Sequence, residues 1–92
     1  MAKIEKKCWP EWYEKFSSGE RTLELRLADF KLKDGDILVL KEYDPINDQY
    51  SGRETEFVCK KVEHSAQNPL QFYDIEDVEE KGFWIIQLEK KN

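Results

Sequence analysis

Eight consecutive residues, Gly19-Glu20-Arg21-Thr22-Leu23-Glu24-Leu25-Arg26, combine side-chain types that can do chemistry with a spacing that gathers them. From Thr22 onward the pattern has period two, with Leu23, Leu25 and Leu27 on one parity and Thr22, Glu24 and Arg26 on the other, which describes a strand. Glu24 and Arg26 then lie about 6–7 Å apart at Cα. A carboxylate and a guanidinium at that distance either pair with each other or hold a ligand between them. With the leucines expected to pack inward, the two polar side chains project into a groove beside the preceding helix. A structural ion pair on the sheet face is the competing reading of the same residues.

The elements that must position this segment can be read on either side of it. Residues 3–9 alternate loosely and form a first strand. Pro10 suits a first helical position, Glu11 and Glu14 suit the first turns and Gly19 supplies a stop, so a helix of about two and a half turns fills the interval. Trp9, Trp12, Tyr13 and Phe16 share one of its faces and are expected in the core. Asp34-Gly35 is a tight turn into a strand from Asp36 to Tyr43, whose Ile37-Leu38-Val39-Leu40 run suits burial on both faces. Asp44 to Gly52 reads as a long hairpin connection. Arg53 to His64 is the next strand, and the parity shift between Phe57/Cys59 and Val62 predicts a bulge near Lys60-Lys61. Residues 65–82 are polar and irregular, and Phe83 to Glu89 closes the chain as a strand with Trp84, Ile86 and Leu88 on one parity. The expected fold is mostly β (α+β): about five short strands in a small, mostly antiparallel barrel, with one helix after the first strand, in a single domain over residues 1–92.

Composition bounds the function. The net charge of −5, from 15 basic and 20 acidic residues, has the wrong sign for a protein that coats nucleic acid through bulk positive charge. The excess is local, however. Asp74, Glu76, Asp77, Glu79 and Glu80 supply five acids with no base among them, and the rest of the chain balances at 15 of each sign. That segment reads as a solvated face, or as a surface that repels nucleic-acid backbone or docks a basic protein. Cys8 and Cys59 have neither metal-ligand spacing nor a disulfide pattern, so no metal and no cofactor are expected and a reducing cytoplasm fits best. No apolar run reaches signal-peptide or membrane-span length, and no membrane partner is expected. His64 stands alone and reads as an ordinary surface residue.

Residues 19–26 resemble the GxKxxExR signature of ASCH domains, a branch of the PUA-like superfamily, with Gly19, Glu24 and Arg26 matching and Arg21 in the lysine position. Lys7-Cys8-Trp9-Pro10-Glu11, Lys33-Asp34-Gly35-Asp36, Glu42-Tyr43-Asp44-Pro45 and Tyr50-Ser51-Gly52-Arg53 are similar to small ASCH-like proteins of bacteria and phages. These blocks span roughly residues 3–62. The resemblance implies a PUA-like β-barrel with a cleft between the helix and the signature strand, in a superfamily whose members bind RNA or modified bases. Some ASCH-like members hydrolyse N4-acetylcytidine, with the active lysine at the position of Arg21 and a nucleophilic threonine at that of Glu24. Arginine stays protonated at physiological pH and glutamate is no hydroxyl nucleophile, so a binding module is expected before an enzyme.

The expected function is therefore recognition of RNA or of a nucleoside, including a modified one. Arg21 and Arg26 would grip phosphate or a base edge, Glu24 would accept from an exocyclic amine, Trp9 would stack on a base, and Lys7 and Thr22 would line the cleft. Tyr43 and Arg53, with Tyr50 beside them, flank the hairpin as recognition or cross-strand residues. The alternatives are an amidohydrolase with an altered catalytic set, using Thr22 or Lys7, and a regulator that binds a protein through residues 74–80.

Overall fold

The computed structural model describes residues 2–65 and 81–91. Five strands and one helix follow in the order β1 (Lys3–Cys8), α1 (Pro10–Ser18), β2 (Leu23–Leu27), β3 (Ile37–Asp44), β4 (Gln49–Ser65) and β5 (Phe83–Lys90). They form one sheet in the order β1-β3-β4-β5-β2, in which β1 runs parallel to β3 and every other pair is antiparallel. The sheet curls into a half-barrel with β1 and β2 as its two edges, and the helix follows the first strand. The mostly-β class is as expected. The acidic segment 74–80 and most of the irregular stretch before β5 lie outside the described residues.

Helix α1 begins with Pro10 at its first turn, where a missing N–H costs nothing, and ends at Gly19, whose φ of 85° is the left-handed conformation that glycine adopts without strain. It lays Tyr13 and Phe16 onto Phe57, Leu38, Leu40, Ile86 and Leu88. Each such apolar side chain contributes about 1.5–3 kcal/mol when fully buried. Phe16 meets Phe57 edge to face, with ring centroids 6.3 Å apart. The aromatic stripe divides, contrary to expectation: Trp9 is 52% exposed and Trp12 37%. The reason is width, because one short helix on a curled sheet buries a single line of residues, and the two tryptophans flank it.

In β3, Leu38 and Leu40 face the core, while Ile37 and Val39 on the opposite parity are buried as well. The strand is thus covered on both faces, as its unbroken apolar run requires. The register of β4 against β5 shifts between Cys59 and Lys61, where the bulge was expected. A second shift lies in β3 between Lys41 and Tyr43. The hairpin connection is shorter than expected. Tyr43 pairs with Tyr50 and Asp44 with Gln49, so β4 starts four residues before Arg53, and the Asp44 carboxylate closes the turn by accepting from the Ile46 N–H at 2.9 Å.

The orientation of β2 is the main correction. Glu24 and Arg26 stand opposite Ile86 and Trp84, which belong to or pack on the core, whereas Leu25 and Leu27 stand opposite Ile85 and Phe83 on the other face. Paired residues of antiparallel strands share a face. Glu24 and Arg26 therefore face the concave side and the leucines face away from it. Alternation alone states the period and not which parity is inward. Here β5 is apolar on both parities and gives the leucines partners on the outer face.

Candidate functional site

Glu24 and Arg26, set inward on edge strand β2, form an ion pair with Nε 3.2 Å from Oε2 and side chains 12% and 23% exposed. The second Glu24 oxygen accepts the Leu25 N–H at 2.9 Å. Burial pushes the Glu24 carboxyl above its ordinary value, with the Arg26 charge opposing that shift. The guanidinium then reaches across the open seam of the half-barrel, where Nη2 donates to the Lys7 carbonyl of β1 at 2.7 Å. The two residues form the ion pair, and of the two only Arg26 reaches an opening, which lies at the β1–β2 seam and not, as expected, beside the helix.

A cleft of about 400 Å³ opens at this seam, lined by Glu5, Lys6, Lys7, Arg26, Lys41 and Tyr50. Parallel pairing places Lys7 beside Lys41, and the hairpin places Tyr43 beside Tyr50, so two amines and two phenol rings meet on neighbouring strands. The Lys7 ammonium sits 4.3 Å from the Tyr43 ring centroid, Lys41 sits 5.2 Å from that of Tyr50, and the two rings meet at a centroid distance of 5.2 Å. The Lys6 amine lies 3.9 Å from the Phe30 centroid. Such cation–ring contacts hold the long side chains in place. Four cations stand against two carboxylates, Glu5, which approaches Lys41 at 3.9 Å, and Glu24, which pairs with Arg26.

The other residues singled out in the sequence lie elsewhere. Arg21 stacks on Trp12, with its guanidinium carbon 4.6 Å from the ring centroid, and its Nε donates to the Leu23 carbonyl. Trp9 is the N-cap of α1, and Thr22 is exposed, its carbonyl accepting the Leu88 N–H. Arg53 holds buried Glu42 through two hydrogen bonds of 2.9 and 2.8 Å and also pairs with Glu14, joining the hairpin to the helix. Lys7 and Arg26 thus line the cleft, Tyr43 borders it and Glu24 braces it. Lys6, Lys41 and Tyr50 complete it. Neither Lys6 nor Lys41 was singled out in the sequence; Lys6 adjoins Lys7 in the chain, and only the β1–β3 register shows Lys41 to be its neighbour.

The cleft lining offers amines, a guanidinium and a phenol, which suit an anion joined to a flat ring. Cys8 is buried and its thiol is pushed up to about 11, chiefly by burial, so it stays protonated at neutral pH. His64 hydrogen-bonds the Lys81 carbonyl at 2.8 Å and meets Trp84 edge on. Among the described residues no group of His, Cys, Asp and Glu could hold a metal ion, and no helix is long and apolar enough to cross a membrane.

The chain is a small mostly-β half-barrel with one helix and a basic seam cleft, and comparison with known proteins places it among relatives. Residues 4–74 match the family described as a domain of unknown function (DUF3850), and the chain belongs to that family. The fold is similar to the crystal structure of hypothetical protein PH0355, with a TM-score of 0.73 and 20% identity over 97% of this chain and 99% of that one. No curated protein matches the sequence.

Proposed function

We propose that this chain is an ASCH-like module of PUA type that binds RNA or a nucleotide-like ligand at the seam cleft, acting by recognition and not by catalysis. The observation that carries the reading is the convergence of Lys6, Lys7, Lys41 and Arg26 with the half-exposed Tyr50 on one opening. Tyr50 offers a ring face for a base, and the cations offer donors for phosphate. The excess of positive charge at the cleft removes the objection raised by the overall charge of −5. Two free, buried thiols suit a cytoplasmic setting. An N4-acetylcytidine-type hydrolysis has less support, because among the described residues the cleft lining holds no Ser, Thr or Cys to serve as nucleophile.

Titration with a short single-stranded RNA of mixed sequence at increasing salt tests the reading. If three or four cations contact phosphate, log K should fall against log salt with a slope of about −2 to −3. Tyr50→Ala and Lys7→Ala should each weaken binding by roughly tenfold. Absence of binding to RNA, nucleotides and nucleosides at about 50 mM salt would overturn the proposal.

A further inference from the structure

The arrangement of charge at the seam says more about the ligand than that it is anionic. Lys7 and Lys41 stand on one face of the β1–β3 pair, while Lys6, opposite core residue Leu40, stands on the other, the side that Arg26 of β2 faces, so the cations reach the opening from both sides of edge strand β1. A surface that follows a polymer backbone instead spreads its cations along a track, one per phosphodiester. Against Glu5 and the Glu24 carboxylate paired with Arg26, the four cations keep an excess of two positive charges around an opening of about 400 Å³. A phosphodiester supplies one negative charge. A phosphomonoester supplies about 1.5 to 2 at pH 7, with three oxygens free to accept.

Arg26 is prepared for such a group. Its Nε–H is held by Glu24 and one Nη2–H by the Lys7 carbonyl, which fixes the plane of the guanidinium before any ligand arrives. Of the five N–H donors on an arginine, the remaining three have no partner among the described residues. A planar donor fork held in advance suits the paired oxygens of a terminal phosphate. Lys41 is only loosely engaged by Glu5 at 3.9 Å, and Lys6 and Lys7 lie over Phe30 and Tyr43 and not against carboxylates, so their charge remains available to an incoming anion.

We infer that the cleft selects its ligand by a terminal phosphomonoester, on a single nucleotide or on the end of an RNA strand, with the phosphate among Lys6, Lys7, Lys41 and Arg26 and the adjoining base on Tyr50. This inference rests on the nucleotide-binding reading above and narrows it. A bare nucleoside or an unphosphorylated strand end would leave the cluster of cations without a matching charge.

Isothermal titration of the full chain provides the test. The probes are the four nucleosides, their 5′-monophosphates, and one hexanucleotide RNA containing all four bases, with hydroxyl ends or with a 5′- or 3′-phosphate. The phosphorylated member of a pair should bind about 10–100-fold more tightly, the worth of one or two hydrogen bonds to a charged group. A gain for the monophosphates identifies a free nucleotide as a sufficient ligand, and a gain confined to the RNA identifies a strand end. Either supports the inference. Lys41→Ala should reduce the gain to within a few-fold of unity, weakening the phosphate-ended probe more than the hydroxyl-ended RNA, and Glu5→Gln should enlarge it. Equal affinity for phosphorylated and hydroxyl-ended probes would overturn the inference while leaving RNA recognition intact. Failure of every probe to bind would remove both.

Discussion

The Arg26 guanidinium of β2 is hydrogen-bonded to the Lys7 backbone carbonyl of β1 at 2.7 Å, so one side chain ties together the two edges of a sheet that no backbone ladder closes. The same guanidinium neutralises Glu24, which is 12% exposed. Removing it therefore strands a carboxylate and a carbonyl at once. Arg26→Met should cost roughly 2–4 kcal/mol in urea denaturation. Adding Glu24→Gln should recover part of that loss, because the remaining group is neutral. A double variant no more stable than Arg26→Met would show that the pair does not act as a unit.

Acid should weaken the fold at a second, independent place. Asp36 is buried, and its two carboxylate oxygens accept the Ala2 N–H at 2.9 Å and the Lys33 N–H at 3.0 Å, binding the start of β1 to the turn before β3. These hydrogen bonds, the one from Ala2 foremost, hold its carboxyl below the ordinary value. A depressed carboxyl stabilises the fold above its unfolded value of about 3.9 and loses that contribution as pH falls through the lower, folded value. The stability difference between the parent chain and Asp36→Asn should be constant from about pH 7 to 5 and shrink below about pH 4. A difference that widens on acidification would contradict this assignment.

Gly82 is buried with a φ of 74°, and a β-carbon there would lie 2.5 Å from His64 Nε2 and 2.7 Å from the Ser65 carbonyl. The obstruction includes backbone, so rotation of the imidazole cannot relieve it. Gly82→Ala should destabilise by about 2–3 kcal/mol, from strain at positive φ combined with overpacking. His64→Ala in the same chain would recover only the part due to the ring. A melting temperature unchanged by Gly82→Ala would disprove the close approach.

The two halves of the aromatic stripe should respond unequally. Phe16 is 3% exposed and touches the core, whereas Trp9 is 52% exposed. Phe16→Ala should cost about 3–5 kcal/mol, while Trp9→Ala should change stability by no more than about 1 kcal/mol. Thermal melts of the two variants check the ordering, and equal losses would restore the expectation that the whole stripe is core.

Features governed by neighbours in the chain were legible in the sequence. Pro10 and Gly19 bound the helix, the parity change around Lys60 located the bulge, and the unbroken Ile37–Leu40 run announced a strand buried on both faces. Features governed by pairing were not. Alternation in residues 22–27 established a strand but assigned the leucines to the wrong face, since either parity satisfies a period of two. Lys7 and Arg26 were singled out and do meet at the cleft, and Lys6 adjoins Lys7 in the chain, but Lys41 and Tyr50 join them through the registers of β1 with β3 and β3 with β4. No local pattern encodes those registers. Arg53, which had looked available for recognition, is occupied by Glu42 and Glu14, partners 11 and 39 residues away.

Strand β4 bonds to β3 through residues 49–58 and to β5 through residues 57–65, so only Phe57 and Val58 are laddered on both sides. The two halves of the sheet, one carrying Lys6, Lys7 and Lys41 and the other carrying Arg26, meet along this short overlap beside the Cys59/Lys61 bulge. It works like the spine of a partly opened book. The covers are joined twice, along this spine and by the Arg26–Lys7 clasp at the fore-edge, and the spacing of the cations on either side follows from both.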